Sequence, residues 1–334
     1  MIQQGASMSK SILKNPFVII LLLIVFVAAG WFSLSKTTSH MAEEELQQWL
    51  VENELDDKVS WTEFEASPTG LAKLKELRIQ DGEQALLFTA EEFHLKGYKE
   101  SADAFELDFE LTQLVDVTEN FFQNHLSRYF DSAEFDVPKA IDFSWQMRLD
   151  NQSESAFFNP VFKLPEFMHL GLELNTDSPE IHKEFGELLG AGENFKENGI
   201  FNLIPLAGHM QLNRLVVTIE DKGGMAQLQH SLKQSAVPGD SSPEIEQQRS
   251  EFWERRLAHS KMSCFHDRSF GLVIRDQKKA CERLIDFMSG NSKVIRLKIT
   301  ATKPIRLEEA MLAGMMGLSA EMLLAKYEAK VEIE

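Results

Sequence analysis

Strict alternation of apolar and polar residues recurs along this chain, and no other feature limits its fold as sharply. Phe105, Leu107, Phe109 and Leu111 are separated by Glu106, Asp108 and Glu110. Ile141, Phe143, Trp145, Met147 and Leu149 are separated by Asp142, Ser144, Gln146 and Arg148. The pattern returns over Leu170–Leu174, Ile295–Ile299 and Tyr327–Ile333. A period of two describes strands with one apolar and one solvated face. Strands of a parallel sheet, covered on both sides, read instead as continuous apolar runs, so these strands are expected to be antiparallel. Weaker strand patterns lie at Val59–Phe64, Leu74–Ile79, Ala85–Leu95 and Leu212–Glu220. The turn signals SPTG (67–70), QDGEQ (80–84) and KGYKES (96–101) lie among them, and that spacing predicts a meander of hairpins in the first half.

The second half changes rhythm. Leu170–Gly190, Leu215–Ser235 and Ile295–Gly317 each read as a short strand, a turn rich in Pro, Gly or Asp, and a helical pattern. They describe either a degenerate internal repeat or the ordinary succession of elements in a mixed protein. Further helical patterns are Met41–Leu55, Thr118–Phe130 (Phe122, Leu126, Phe130) and Val237–Ser260 (Ile245, Phe252, Trp253, Leu257). In the last of these, Ser242 before Pro243 is a helix start. These apolar stripes read as core contacts. The expected class is α+β: a largely antiparallel amphipathic meander with helices packed on it, and mixed strand–turn–helix units in the second half. The expected division is a tail over 1–15, a transmembrane signal anchor over 16–35, a linker and short helix over 36–58, a mainly antiparallel β region over 59–150, and a mixed α/β region over 151–334 continuous with the sheet.

The anchor expectation rests on Pro16–Leu34, which is apolar and uncharged for 18 residues after the proline, enough to cross a bilayer core of about 30 Å as a helix. Lys10 and Lys14 precede it, and Glu43–Glu45 follow it after Lys36. The positive-inside bias then keeps the N-terminus in the cytoplasm and exports the body, giving a single-pass bacterial inner-membrane protein with a periplasmic body. A cleaved signal peptide is the alternative, since Val27-Ala28-Ala29 offers a small-residue cleavage pattern, although the apolar run continues past it through Trp31, Phe32 and Leu34. The formal charge is −18, and the first 36 residues hold three lysines and no acid, which leaves −21 on the remainder. Such a body repels phosphate backbones, which argues against a nucleic-acid partner, and it should avoid lying flat on anionic headgroups.

Cys264 and Cys281 are the only cysteines. In an exported chain, two cysteines 17 apart are most simply a disulfide closing a local loop. Two buried free thiols, or a metal site drawing on His266 and Asp267, are the alternatives, but the second close ligand pair usual at zinc sites is missing. No Cys-x-x-Cys, P-loop, Gly-x-Ser-x-Gly or His-Glu-x-x-His motif occurs. Gly190–Phe195 (GAGENF) starts like a dinucleotide-binding loop but lacks the third glycine and follows a helical pattern, as a helix C-cap would. The reading is therefore a non-enzymatic protein with no metal and no cofactor.

What remains is a shape. The alternating strands offer one long apolar face, and with 24 Phe against three Tyr the aromatic surface is mostly apolar throughout. Covered by helices, that face is a core; left partly open, it is a groove suited to acyl chains. The candidate lining residues are Phe105, Leu107, Phe109, Leu111, Ile141, Phe143, Trp145 and Met147. An N-terminal apolar segment followed by VSWTEFEASPTGLAKLKELRIQDGEQALLFTAEEFHLKGY (59–98) resembles the opening of AsmA-like inner-membrane-anchored periplasmic proteins, with a strand, a Gly turn, a Leu-x-Ile strand and a further rung. That resemblance covers about 80 residues and implies a curved apolar β-groove associated with phospholipid movement or outer-membrane assembly. The chain departs from it by being short and turning mixed α/β after about residue 115. The later strand–turn–helix units look more like a related group of uncharacterised anchored periplasmic proteins. Two functions follow as expectations: a membrane-anchored module that binds or passes lipid, or an anchored interaction domain docking on another envelope protein, with its C-terminal strand available to a partner's sheet.

Overall fold

The computed structural model describes residues 39–52, 55–67, 71–80, 85–101, 103–118, 139–150, 152–177, 210–266, 274–309 and 320–334. Eleven strands form one antiparallel sheet: β1 (Val59–Ser60), β2 (Glu63–Ser67), β3 (Leu71–Gln80), β4 (Leu86–Glu100), β5 (Ala104–Asp116), β6 (Ala140–Asp150), β7 (Ser155–Leu164), β8 (Met168–Asp177), β9 (Gln211–Asp221), β10 (Val294–Arg306) and β11 (Lys330–Ile333). From β3 onward each strand pairs with the next in sequence, so the fold is a meander. Strands β1 and β2 both lie against β3 and form one interrupted edge. Five helices accompany the sheet among the described residues: α1 (Ser39–Glu52), α2 (Gly224–Ala236), α3 (Pro243–His266), α4 (Gln277–Met288) and α5 (Ala320–Lys326). The expected α+β class and antiparallel meander are what the structure has, and the sheet runs on without a break past residue 150. No helix among the described residues is long and apolar enough to cross a membrane. The expected span over Pro16–Leu34 lies outside the described residues, as do most of the helical pattern at Thr118–Phe130, the GAGENF stretch, and the helical part of the unit that opens at Leu170.

The apolar residues of β3 to β5 do not keep a simple period of two. Buried positions run Ala72, Leu74, Leu77, Ile79 in β3; Phe88, Ala90, Phe93, Leu95 in β4; and Phe105, Leu107, Phe109, Leu111, Leu114 in β5. The step of three falls at Glu76, Glu91 and Gln113. The pairings Lys75↔Glu92, Leu77↔Ala90, Glu92↔Thr112 and Thr89↔Val115 place these three side by side. Glu76 and Gln113 have φ of 49° and 51°. The pleat thus changes phase along one line through three strands, and both halves of each strand still face the same core. The line ends at β6, where the register slips by one between Leu111 and Leu114. There the Gln113 N–H donates to Asp142 Oδ1 at 2.8 Å, so the bulge leaves no orphaned donor.

The apolar face is closed at both ends by helices. Ala42, Leu46 and Leu50 of α1 join the cluster built on β3–β6, and Trp61 Nε1 donates to Glu43 Oε1 at 2.9 Å to hold α1 against the edge. At the other end Leu323 and Leu324 of α5 pack with Leu174, Leu215 and Ile299, while Ala280 of α4 packs with Leu297 and Val331. The stretch Tyr327–Ile333 was expected to be strand throughout. Only Lys330–Ile333 is strand; Tyr327 and Ala329 are buried in the turn that follows α5, where Glu328 takes φ 52°.

Helices α2 to α4 form a layer tied to the sheet by a few polar joints. Asp221, buried at the end of β9, caps α2: its Oδ1 accepts from the Gly223 and Met225 N–H groups at 3.0 and 2.9 Å, and its Oδ2 accepts from Lys293 Nζ at 2.7 Å. Gly224 then sits against the β7–β8 turn, where an added Cβ would lie 2.3 Å from Phe167 Cδ2. Buried Arg249 of α3 holds the α2–α3 loop by donating to Val237 O (3.1 Å), Gly239 O (3.0 Å) and Glu246 Oε1 (2.5 Å). The helix start expected at Ser242–Pro243 is where α3 begins. Cys264 of α3 and Cys281 of α4 are at disulfide distance, with Cα atoms 5.9 Å apart.

Candidate functional site

The register lines the apolar residues of successive strands into rungs. One reads Leu111, Phe143, Phe162, Leu170, Ile219, Ile295 across β5 to β10. Another reads Leu107, Met147, Phe158, Leu174, Leu215, Ile299. With strands about 4.8 Å apart, six strands make a rung of about 24 Å, the scale of an extended acyl chain. Rings on the first rung and beside it are neighbours. Phe93 of β4 lies 5.8 Å from Phe109, Phe109 lies 5.9 Å from Phe143, and Phe143 lies 4.8 Å from Phe162. Trp145 meets Phe143 and, edge-on, Phe158, both at 6.3 Å.

Exposure changes along this aromatic row. Of the eight residues expected to line a groove, Phe105, Leu107, Phe109, Leu111, Ile141 and Met147 are buried, and they belong to the core shared with α1. Phe143 and Trp145 keep part of their surface exposed, as do Phe158, Phe162, Leu170, Leu172 and Leu174 of the next two strands. The accessible part of the apolar face is therefore displaced toward β6–β8 from the position read in the sequence. Strand β7 went unread because its sequence, SAFFNPVFKL, has two adjacent Phe and a proline instead of alternation. Pro160 pairs with Trp145 in β6, whereas the β7–β8 pairing skips Asn159 and Pro160. A proline has no N–H for a ladder, so the sheet loses rungs at the centre of its accessible apolar strip.

The opposite face is stitched by side-chain pairs. Glu110 of β5 is bridged by Lys163 of β7 at 2.8 Å and by Lys96 of β4. The hydrogen bond from Lys163, then that from Lys96, holds its carboxyl below the usual range against the opposing effect of burial. Gln146 Nε2 donates to Asp108 at 3.0 Å, and Asn159 Nδ2 donates to Gln146 Oε1 at 3.4 Å. An acid held ionised by two ammonium groups braces the sheet and is a poor proton donor. Among the described residues no group of three His, Cys, Asp or Glu is placed to hold a metal ion. No family model matches this chain, and no curated protein matches its sequence.

Proposed function

We propose that this is a non-enzymatic, membrane-anchored protein whose central strands receive a lipid acyl chain on their apolar face. The observation that carries the reading is the accessible apolar strip over β6–β8, with Phe143, Trp145, Phe158 and Phe162 at its head, next to a face sealed from β3 to β5. An apolar strip bounded by helices at both ends accommodates a chain of methylenes and offers no polar group for chemistry. The anchor in this proposal is the apolar segment 16–35, with its lysines on the N-terminal side and the body in the periplasm of a bacterial cell. The disulfide supports export, because such bonds persist in oxidising compartments. The resemblance of 59–98 to the opening of AsmA-like proteins agrees with a lipid role or a role in envelope assembly.

A second reading has its own observation. Six of the eight expected lining residues are sealed, which suits a closed domain that docks on another envelope protein and carries no small ligand. Native mass spectrometry with solvent extraction on the full chain, released in mild detergent, separates the two. The lipid reading expects stoichiometric phospholipid that disappears in Trp145→Glu while the fold is kept. Phe109→Glu buries a charge in the sealed core and is expected to unfold the protein. A lipid-free wild-type mass, or lipid retained in Trp145→Glu, would sink the acyl reading in favour of the docking domain.

A further inference from the structure

Helix α3 carries four acids and four cations in a chain of −18, and they are sorted along its length. Glu244, Glu246, Glu251 and Glu254 all precede the midpoint of Pro243–His266, whereas Arg255, Arg256 and Lys261 follow it. The fourth cation, Arg249, is buried and donates to Glu246 and to two carbonyls of the α2–α3 loop, so it does not offset the acidic half toward solvent. The helix macrodipole favours acids in the first turn and bases in the last, and its influence fades beyond them. That accounts for Glu244 and Glu246. It does not account for the change of sign between Glu254 and Arg255, which lies about three turns from either end.

One side of the helix is packed and the other is bare among the described residues. Buried Arg249 and Trp253 mark the side that packs on α2 and α4, and Cys264 joins α4 through its bridge to Cys281. Glu244, Gln247, Glu251, Arg255, Ala258 and Met262 follow one another at spacings of three and four on the opposite side, and all six are exposed. Glu251 Oε1 accepts from Gln247 Nε2 at 2.9 Å, and Arg255 Nε donates to the Glu251 backbone carbonyl at 3.2 Å. Glu251 and Arg255 therefore form no ion pair with each other, and the charge of each is left to a group outside the helix.

We propose that this stripe pairs with the same stripe on a second copy of the chain, the two helices antiparallel about a two-fold axis between Glu251 and Arg255. A parallel pair sets acids on acids and bases on bases; the antiparallel pair sets the acidic half of each helix on the basic half of the other. Isologous contacts come in twos, so Glu251 of each copy meets Arg255 of the other. Gln248 likewise meets Ala258, a side chain small enough to let the backbones approach. The charge of −18 on each copy opposes association, whereas α3, whose acids and cations balance, adds nothing to that repulsion. A helix of 24 residues is about 36 Å long, and a stripe about 10 Å wide along it covers roughly 360 Å² per copy, under half of a standard interface. The pair is therefore weak and concentration-dependent, and it is independent of lipid binding by the sheet.

Sedimentation equilibrium of the full chain in mild detergent, over a series of concentrations, reads the association. The expected result is a mass that rises from one copy toward two. Glu251→Arg sets arginine against arginine at both contacts, and Arg255→Glu sets glutamate against glutamate. Either variant alone is expected to raise the dissociation constant about tenfold. An equimolar mixture of the two variants restores opposite charges at both contacts and is expected to recover the wild-type association. A wild-type chain that stays single at every concentration overturns the proposal, as does a mixture no better associated than its components. Should circular dichroism show that either variant has lost its fold, cross-linking decides the matter. Copies carrying Gln248→Cys are expected to join copies carrying Ala258→Cys through a short bismaleimide in preference to their own kind, and cross-linking without that preference overturns the antiparallel pair.

Discussion

Asp221 offers the most direct test of how the helical layer is fixed to the sheet. Its carboxylate is buried at the junction of β9 and α2, accepts two backbone N–H groups of the helix start, and is paired with Lys293 just before β10. Removing an N-cap acceptor costs about 1 kcal/mol. Losing the Lys293 partner adds about 1 kcal/mol, taken at the low end because the lysine is 64% exposed and screened by water. Asp221→Ala is therefore expected to destabilise the fold by about 2 kcal/mol, and Asp221→Asn, which keeps a carbonyl acceptor for the helix, by about half as much. Burial raises the Asp221 pKa, but the hydrogen bonds from Lys293, Met225 and Gly223 together outweigh it and leave the carboxyl below its ordinary value. A group with a depressed folded pKa contributes stability that is present above its unfolded pKa, about 3.9, and is lost as pH falls through the folded value. The gap between wild type and Asp221→Asn should accordingly be open at neutral pH and close in acid. Urea titrations of the full chain followed by circular dichroism at neutral and acid pH measure it. A gap that stays constant, or an Asp221→Ala variant as stable as wild type, refutes the assignment of Asp221 as an ionised cap.

Three further outcomes are expected. Gly224→Ala places a Cβ 2.3 Å from Phe167 Cδ2 and 2.7 Å from Phe167 O, and should lower stability by about 1–3 kcal/mol, read as a shift of the urea midpoint. Cys264→Ser with Cys281→Ser should cost about 3 kcal/mol and raise amide exchange in α3 and α4 while β3–β6 stay protected; uniform loss of protection would mean that the bridge supports the whole sheet. Arg249→Ala leaves Val237 O and Gly239 O without their buried donor, and should cost about 2–4 kcal/mol in a urea titration, whereas Arg249→Lys recovers only part of it.

The parts of the fold that were legible in the sequence are those where one face is buried and the other solvated. Strand β6, and β5 as far as Leu111, alternate because α1 and the neighbouring strands cover one side and polar side-chain pairs fill the other. Strand β7 was illegible for a physical reason: Pro160 and the adjacent Phe157 and Phe158 break the period where the ladder itself is interrupted. The phase change at Glu76, Glu91 and Gln113 was hidden because a bulge is a backbone event, and glutamate and glutamine at positive φ leave no mark in composition. Helix α4 was given no element in the sequence reading, although Asp276, whose side chain accepts from the Lys279 N–H as N-cap, and the buried Ala280, Cys281 and Phe287 carry a helical signature.

The meander has a consequence for how the chain acquires its structure. Because every strand from β3 to β11 pairs with the one before it, each arrival extends an edge that already exists, and few pairings must wait for a distant segment. Growth from the N-terminal end is therefore possible strand by strand as the chain becomes free. Until the last strands arrive, the growing sheet carries a bare edge able to pair with another copy. Completion is marked by β11, beyond which Ile274 forms a parallel bridge to Val331 and the Arg275 N–H donates to Val331 O at 2.9 Å. Those two residues immediately precede α4, so the segment that caps the last edge is held in place by the same helix that the disulfide staples to α3.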